Sequence, residues 1–455
     1  MKAIILAAGD GKRMKSDLPK ILHTVAGKPM LHCVIEACLQ ANIEDITVVV
    51  GKKRELIVER TPYPVSYVTQ EEQLGTGHAV LCAKQHFTEN DDILVLPGDA
   101  PLITSGFLKN LIKFYHDKEA KGVVVATTVP EPFGYGRVFT DGENFEQIIE
   151  HKDLAANQHS VNLINTAIYM STGRELLYGL ERIKNNNNQN EYYLTDVPKI
   201  VKDAGHKVLV YNSPDYTQFL GINSQKQLAE ASLQLRSRII DKHFENGVQI
   251  IDPTCVHIEA DVQIEAGAIL HPGVIIKGKS HICKAAVIGP YSQITDSFVG
   301  AETTVSNSVL ESAKVGCNCQ VGPYAYLRAG AVVGDRCRVG DFVEIKNATL
   351  GNDTKAAHLT YIGDAQVGDR VNFGCGSITV NYDGANKHRT VIEDDVFVGS
   401  NVNLVAPIVV HNNSYLAAGS TITKEVPTDA LAIARIRDQS NIEGWVPERA
   451  PKKRK

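Results

Sequence analysis

A short run near the start of the chain carries residues that could hold phosphate. Residues 6–13, with the sequence LAAGDGKR, follow an apolar stretch and combine two glycines with two cations. Glycine lets backbone N–H groups approach an anion closely, and Lys12 and Arg13 would supply positive charge. The spacing matches neither GxxxxGK[ST] nor GxGxxG, which excludes those two nucleotide loops. The run is therefore either a phosphate-binding loop of another kind or a simple tight turn.

Two further residues could complete such a site. The run ILVLPGD at residues 93–99 is typical of a strand that ends by presenting the carboxylate of Asp99. A hard oxygen ligand there could hold Mg²⁺, which bridges nucleotide phosphates and neutralises developing charge. A helix N-cap is the alternative role for this aspartate. Lys20 offers another cation for a phosphate, although by itself it would be interpreted as a surface lysine.

A second set of candidates lies more than three hundred residues further along the chain. Arg328, Lys346 and Lys387 could together hold a phosphate, with His358 between them in sequence. A neutral imidazole, with a pKa near 6.5, could accept the proton of an attacking amine. A lone histidine is more often a packed or surface residue, so His358 needs supporting context.

The N-terminal half has the pattern of an α/β domain with a mostly parallel sheet. Ligands of such sheets bind at the carboxyl ends of the strands. A helix is predicted from Pro29 to about Leu39, and one long helix is predicted from residue 224 to residue 245, ended by Gly247. The predicted strands are residues 3–8, 46–50, 93–96 and 123–127.

The C-terminal half repeats one aliphatic residue every six positions. This period is typical of a parallel β-helix in which three short strands form each triangular coil and coils stack about 4.8 Å apart. The repeat is interrupted at residues 346–362 and 381–390, and insertions in a solenoid usually form surface loops that bind ligands. We therefore expect two such loops. The repeated positions are Ile258, Ile264, Leu270, Ile276, Ile282, Ile288, Ile294, Val299, Val315, Val321, Leu327, Val333, Val339, Ile345, Ile392, Val398, Leu404, Val410, Leu416 and Ile422.

These patterns divide the chain into residues 1–223, a linker helix at 224–247, and a β-helix with a C-terminal tail at 248–455. The 43% hydrophobic and 22% charged content is that of a soluble globular protein. A net charge of -5 argues against nucleic acid as a partner. Residues 3–8 are too short for a signal-peptide core and no stretch could span a membrane. Nine cysteines without a regular framework fit a reducing compartment. We expect a cytoplasmic protein without membrane insertion.

Several runs of the N-terminal half resemble the sugar-1-phosphate nucleotidyltransferases. Residues 6–20 are similar to the signature loop of this family, and residues 70–79, QEEQLGTGHA, are similar to the segment that holds uracil in its uridylyltransferase members. The resemblance implies Asp99 and Asn223 as Mg²⁺ ligands, while Pro97 departs from an aromatic residue common in the family. The implied residues for UTP and the UDP-sugar are Leu6, Ala7, Ala8, Gly9, Arg13, Lys20, Gln70, Gly75, Thr76, Gly136, Glu150, Asn165 and Asn223.

The C-terminal half resembles the acetyltransferase half of the bifunctional N-acetylglucosamine-1-phosphate uridylyltransferase/glucosamine-1-phosphate N-acetyltransferases. The runs that carry this resemblance are residues 355–368 and 381–387, and it implies His358 as the general base. Ala329 stands where many members have proline, and Cys375 stands where alanine is common. The implied glucosamine 1-phosphate ligands are Arg328, Lys346, Tyr361, Asn372 and Lys387. The implied acetyl-CoA ligands are Cys375, Asn381, Tyr382, Ser400, Ala418 and Arg435.

The resemblance implies a two-step synthesis of UDP-N-acetylglucosamine. Acetyl-CoA would acetylate glucosamine 1-phosphate, and UTP would then transfer its uridylyl group to N-acetylglucosamine 1-phosphate with release of pyrophosphate. It also implies a left-handed β-helix and a homotrimer with acetyl-CoA sites shared between subunits. Two alternatives are a nucleotidyltransferase whose β-helix only assembles or regulates, and a scaffold with a nucleotide-sensing domain. Neither alternative requires His358 or the 381–387 run.

Overall fold

The computed structural model describes residues 1–9, 11–436, 439 and 441. The chain forms two compact units, residues 1–237 and residues 238–455. The predicted C-terminal tail lies outside the described residues from 442 onward, and the predicted boundaries at 223 and 247 stay predictions. In the described part of the chain, no helix is both long and apolar enough to cross a membrane.

The N-terminal unit is built on a nine-stranded sheet with the order β5-β4-β1-β6-β10-β7-β11-β9-β8. Every strand of this sheet except β9 and β10 runs in the same direction, so the predicted mostly parallel sheet is confirmed. The strands of this unit are β1 (Lys2–Ala7), β2 (Thr24–Val25), β3 (Lys28–Pro29), β4 (Asp45–Val50), β5 (Ser66–Thr69), β6 (Asp92–Pro97), β7 (Gly122–Thr128), β8 (Arg137–Asp141), β9 (Asn144–Ile149), β10 (Leu163–Thr172) and β11 (Val208–Ser213).

Helices cover both faces of this sheet. Because the central strands are buried on both faces, they consist of nearly continuous aliphatic residues. One core joins the sheet to α1 and α4, and the other joins it to α3, α5 and α6. The helices are α1 (Met30–Gln40), α2 (Arg54–Glu59), α3 (Thr76–Cys82), α4 (Ser105–Asp117), α5 (Gly173–Leu180), α6 (Val197–Asp203) and the predicted long helix, α7 (Gln225–Glu245).

The C-terminal unit is a left-handed parallel β-helix, as expected. Each short strand pairs in parallel with the strand one coil further along, so that Ile258 lies beside Ile276 and Ile264 beside Ile282. Each of these aliphatic side chains is at least 93% buried. The inward row therefore forms one continuous core along the unit.

The strands of the β-helix are short because each coil has three corners. They are β12 (Gln249–Ile250), β13 (His257–Ile258), β14 (Gln263–Ile264), β15 (Ile269–Leu270), β16 (Ile275–Lys277), β17 (His281–Ile282), β18 (Val287–Ile288), β19 (Gln293–Thr295), β20 (Phe298–Val299), β21 (Thr304–Val305), β22 (Val309–Glu311), β23 (Lys314–Val315), β24 (Gln320–Val321), β25 (Tyr326–Leu327), β26 (Val332–Val333), β27 (Arg338–Lys346), β28 (Thr349–Leu350), β29 (Lys355–Gly363), β30 (Ala365–Val367), β31 (Asn372–Phe373), β32 (Ile378–Val380), β33 (Thr390–Ile392), β34 (Phe397–Val398), β35 (Asn403–Val405), β36 (Ile408–Val410), β37 (Tyr415–Leu416), β38 (Thr421–Ile422) and β39 (Leu431–Ala432).

The corners require left-handed backbone conformations, which form three columns along the β-helix. Asn, Asp and Gly tolerate positive φ best, and they occupy many of these positions. The first corner carries Tyr291, Asn307, Tyr324, Phe342, Leu359, Gly376, Asn401 and Gly419. The second carries Asp296, Ser312, Gly330, Asn347 and Asp364. The third carries Ala285, Glu302, Asn318, Arg336, Asp353, Arg370, Asp395, Asn413 and Asp429.

A ladder of side-chain hydrogen bonds reinforces the third corner. The side-chain oxygen of each ladder residue after the first accepts the backbone N–H of the ladder residue one coil below, at 2.6 to 3.0 Å. Each bond replaces one that the turn leaves unmade within its own coil. The ladder residues are Asp335, Asn352, Asp369, Asp394 and Asn412.

The prediction of a loop at residues 346–362 is wrong. Strands β27 and β29 pair there in unbroken parallel register, and Leu350 and Ala356 take the buried inward positions. The six-residue step shortens to five between Ile345 and Leu350, and alanine then replaces a larger aliphatic residue. That combination hid the repeat. The second predicted loop is present: residues 381–389 connect β32 to β33 at the second corner.

His411 joins three successive layers of the C-terminal coils. Its Nδ1 lies 3.1 Å from a Glu393 oxygen and its Nε2 lies 2.6 Å from a Glu425 oxygen. The hydrogen bond to Glu425, followed by the one to Glu393, raises the pKa of His411. Because the folded-state pKa is the higher one, the stabilisation is full below the unfolded value of about 6.5 and is lost as pH rises through the folded value.

We expect His411→Gln to lower thermal stability most below pH 6 and progressively less as pH rises above 6.5. Thermal unfolding of both proteins across this range measures the difference. His271→Gln, which replaces a histidine elsewhere on the β-helix, is the control for the general effect of replacing a histidine. A loss of thermal stability in His411→Gln that has the same size at every pH would contradict a stabilising role for protonated His411 between Glu393 and Glu425.

Candidate functional site

The segments at the carboxyl ends of β1, β5 and β6 line a cleft of about 290 Å³ in the N-terminal unit. Gly98 donates its backbone N–H to the carbonyl of Leu6 at 2.8 Å, and Gln70 donates its backbone N–H to Val50 at 2.8 Å. These bonds bring the segments after three strands to one edge of the sheet. Of the predicted residues, the cleft is lined by Leu6, Ala7, Ala8, Gly9, Lys20, Gln70, Gly75, Thr76 and Asp99.

Lys20 joins the two predicted metal ligands. Its ammonium donates to a carboxylate oxygen of Asp99 and, at 2.8 Å, to the side-chain oxygen of Asn223. Two side-chain oxygens from distant parts of the chain therefore accept hydrogen bonds from one ammonium group. A carboxylate and an amide oxygen are ligands that suit a hard divalent ion. The donor set therefore fits a divalent metal ion.

The segment 70–76 is held in place by its own polar contacts. Gln70 is 96% buried, and its side-chain amide donates to the carbonyl of Gly75 at 3.0 Å. Thr76 begins α3, and its hydroxyl accepts the backbone N–H of Leu194 at 3.1 Å. Gly75 has φ +110°, and a Cβ there would lie 2.6 Å from the carbonyl oxygen of Tyr192. Only glycine allows this approach.

Three predicted sugar-binding residues lie together beside the cleft rather than in its lining. Asn165 donates its backbone N–H to the carbonyl of Gly136 at 3.0 Å, and a Cβ on Gly136 would lie 3.5 Å from the carboxyl of Glu150. Glu150 and Asp196 line a neighbouring cavity of about 410 Å³. Burial raises the pKa of both carboxyls.

The cleft also differs from the prediction in a few residues. Arg13 is exposed on the turn Lys12–Met14 and is not among the lining residues. Sequence reasoning missed Gln73, Ala167 and Glu191, which line the cleft. Gln73 donates its side-chain amide to the carbonyl of Ala8 at 2.7 Å. Gln73 lies inside the matched run at residues 70–79, so reading that run residue by residue could have found it.

In the β-helix, His358 is paired with a carboxylate that the sequence did not reveal. Asp341 lies directly one coil below His358, and its Oδ1 is 3.0 Å from His358 Nδ1. The backbone N–H of Asp341 and then the imidazole lower the pKa of this carboxyl, so it is ionised near neutral pH. A carboxylate that accepts from Nδ1–H fixes the tautomer and leaves Nε2 able to accept a proton.

Arg328, Lys346 and Lys387 converge near the second corner. Arg328 and Lys346 occupy equivalent positions on successive coils, and Arg328 pairs with Glu344 at 2.8 Å. The side-chain contact with Lys387, followed by the charges of Lys387 and Arg328, lowers the pKa of Lys346, whereas Asp364 raises it. The net lowering indicates that positive charge exceeds negative charge around Lys346. Tyr361 stands one coil above Glu344, on the face between the first and second corners.

The remaining predicted residues fall at different corners of the chain. Extending the printed register, Cys375, Ser400 and Ala418 continue the column of Asp341 and His358 along the first corner. The side chain of Arg435 lies within 3.8 Å of the position of a Cβ on Gly419, beside the top of this column.

Asn381 and Tyr382 belong to the 381–389 loop at the second corner, where Asn381 donates to Asp364. Asn372 lies on the face that precedes the first corner. Within one chain, the structure therefore does not bring Asn372, Asn381 and Tyr382 onto the column of His358.

Comparison with known proteins covers both units. A MobA-like NTP transferase domain matches residues 3–178, and bacterial transferase hexapeptide repeats match residues 312–347 and 389–424. The bifunctional protein GlmU of Clostridium novyi is 48% identical over 99% of both chains. Those of Clostridium tetani and Brevibacillus brevis are 47% identical over 99% of this chain and 44% identical over 97% of it, and they are themselves covered over 99% and 96%.

The chain belongs to the GlmU family of bifunctional proteins. It is accordingly a bifunctional transferase that acetylates glucosamine 1-phosphate and uridylylates N-acetylglucosamine 1-phosphate. Nucleotides and sugar phosphates fit as substrates, and its hexapeptide repeats indicate an oligomer. A solved complex of UDP-glucose pyrophosphorylase with UDP-glucose covers 52% of this chain at 21% identity and a TM-score of 0.44, which is too distant to bear on function.

The full-length similarity to GlmU proteins decides against a β-helix that only assembles or regulates, and against a scaffold. The three departures from the family pattern all lie at or beside predicted site residues. Pro97 lines the N-terminal cleft, Ala329 is exposed beside Arg328, and Cys375 is exposed on the column of His358.

We expect Gly75→Ala to destabilise the N-terminal unit by about 1–3 kcal/mol, since this backbone conformation is nearly exclusive to glycine, and to weaken UTP binding because the segment must move away from Tyr192. Denaturant unfolding and calorimetric titration with UTP measure the two effects. Gly205→Ala is the matched control, with φ +89° and no atom within 4 Å of the added Cβ. Equal UTP affinity in both variants would contradict a role for this close approach.

Proposed function

We propose that the N-terminal cleft performs uridylyl transfer and that the β-helix performs acetyl transfer with His358 as general base. One observation supports the assignment of acetyl transfer. The Asp341–His358 pair lies at the first corner, and the adjoining face leads to Arg328, Lys346 and Lys387 near the second corner. An amine base and a phosphate clamp are the two groups that acetylation of an amino sugar phosphate requires.

For acetyl transfer, Arg328, Lys346 and Lys387 bind the phosphate of glucosamine 1-phosphate, and Tyr361 and Asn372 contact the sugar. The amine attacks the thioester carbonyl of acetyl-CoA. Nε2 of His358 takes the amine proton as the C–N bond forms, because Nδ1 is held by Asp341. The C–S bond then breaks, and the CoA thiolate leaves with a proton. Acetyl-CoA is bound by Cys375, Asn381, Tyr382, Ser400, Ala418 and Arg435.

For uridylyl transfer, the phosphate of N-acetylglucosamine 1-phosphate attacks the α-phosphorus of UTP in line, and pyrophosphate leaves. Backbone N–H groups of residues 7–9 approach the UTP phosphates, and Lys20 and Arg13 neutralise charge. Gln70, Gly75 and Thr76 hold the uracil, while the sugar is bound by Gly136, Glu150 and Asn165. Mg²⁺, when held by Asp99 and Asn223, supplies further charge neutralisation.

We propose a cytoplasmic homotrimer in which acetyl-CoA sites are shared between subunits. Two observations support sharing. The proposed acetyl-CoA ligands fall at two different corners of one chain, so a corner of a second copy could complete each site. The first corner also exposes Tyr324, Phe342 and Leu359, each with 59–60% of its surface accessible, and a protein interface would cover such a column.

His358→Ala should reduce acetyl transfer by a factor of about 10²–10⁴, the usual contribution of a general base, and leave uridylyl transfer within about twofold, since the two sites lie in separate units. Asp99→Ala should have the reverse effect. Release of CoA from acetyl-CoA plus glucosamine 1-phosphate measures the first activity. Release of pyrophosphate from UTP plus N-acetylglucosamine 1-phosphate measures the second.

His271→Ala is the control for the first variant, since it removes a β-helix histidine outside the proposed site. Normal acetylation by His358→Ala would overturn the proposed base. Loss of both activities in either variant would contradict the separation of the two sites.

A further inference from the structure

A group of three potential metal ligands lies near the start of the β-helix and includes none of the residues proposed for the two reactions. Glu265, His281 and Cys283 each offer one ligand atom, and these three atoms lie within 4.8 Å of one another. Nε2 of His281 is 2.8 Å from a Glu265 oxygen. Neither His281 nor Cys283 has a role in the two reactions.

The β-helix geometry brings these three side chains together. His281 and Cys283 flank the inward-pointing Ile282, so both point outward from the same face, as side chains two apart in a strand do. The register of β14 with β17 places Glu265 directly below Cys283, one coil spacing of about 4.8 Å away. The group therefore bridges two successive coils.

The surroundings already orient two of the three ligands. Glu265 accepts the backbone N–H of Lys284 at 2.9 Å through its second oxygen, which fixes the carboxylate. The ring of Phe298, one coil above, packs edge-on against His281 with centroids 5.6 Å apart. Since oriented ligands lose less freedom on binding, this arrangement favours metal coordination.

We propose that Glu265, His281 and Cys283 form a binding site for a thiophilic divalent metal ion of the Zn²⁺ class. In tetrahedral coordination, neighbouring ligand atoms lie roughly 3.3–3.8 Å apart, from metal–ligand distances of about 2.0–2.3 Å. Small side-chain rotations reach that spacing from the present one. A sulfur, an imidazole nitrogen and a carboxylate oxygen form a set that selects Zn²⁺ over Mg²⁺ or Ca²⁺. On binding, the Cys283 thiol loses its proton to solvent, and His281 binds through Nε2 as a neutral imidazole that carries its proton on Nδ1.

The site leaves one coordination position open to water, as three protein ligands do in many zinc sites. Because the ion links two coils, its binding free energy adds to the stability of the folded β-helix. At the start of the β-helix, metal binding thus stabilises the contact between two coils, and this stabilisation is independent of both transferase reactions.

The test is zinc binding by the reduced, full-length protein in excess Mg²⁺, which occupies the oxygen site at Asp99 without competing for a thiolate. Competition with a chromophoric chelator measures Zn²⁺ affinity, and Co²⁺ provides a thiolate-to-metal absorption band. We expect one Zn²⁺ site per chain. Cys283→Ser and Glu265→Gln should each weaken it about tenfold or more, and Cys283→Ser should abolish the Co²⁺ band.

Two matched cysteine variants serve as controls. Cys255→Ser removes an exposed thiol elsewhere on the β-helix, and Cys317→Ser removes another thiol of the same unit. Both should bind Zn²⁺ as the unaltered chain does. Absence of zinc binding, equal affinity in Cys283→Ser and Cys255→Ser, or loss of the Co²⁺ band only in Cys317→Ser would overturn the proposal. Circular dichroism verifies that each variant is folded.

Discussion

Backbone hydrogen bonding between successive coils is the constraint on which the C-terminal unit depends. A coil can pair with its neighbour only in register, and the inward aliphatic row holds that register because a slip of one residue would turn the row outward. The same pairing decides which outward side chains meet. Asp341 and His358 are neighbours for this reason, as are Glu265 and Cys283. The polar surface is therefore arranged by the apolar core.

Cations are used differently in the two units. In the nucleotide cleft, the ammonium of Lys20 is balanced by Asp99 and shared with Asn223, so the charge is already neutralised when no substrate is present. In the β-helix, Lys346 lies beside Lys387 and Arg328, while Glu344 pairs with Arg328 and Asp364 offsets part of the charge at Lys346. A phosphate would relieve the second arrangement directly, whereas in the first a metal ion and Lys20 would compete for the same oxygens.

The sequence predicted the architecture well because buried positions that recur at a fixed spacing are occupied by apolar residues at that same spacing. It predicted β1, β4, β6 and β7 from apolar runs, α7 from spaced apolar residues with charges between them, and the β-helix from its six-residue step. It failed at Leu350, where a five-residue face and a small inward alanine broke the spacing without forming a loop. Asp341 also escaped notice, since its partner is seventeen residues away and only the coil length relates them. The contact of Lys20 with Asn223 spans 203 residues and has no local signal.

The column of Asp341, His358, Cys375, Ser400 and Ala418 fixes the spacing of groups along the first corner. Successive residues of the column belong to successive coils, so they are separated by steps of about 4.8 Å. An acyl donor stretched along this column would have its reactive carbon set against the base by a whole number of steps. Adding or removing one coil between Ala418 and His358 would shift that carbon by one coil spacing, which no side-chain rotation could compensate. Insertions at corners, such as residues 381–389, leave the spacing between coils unchanged.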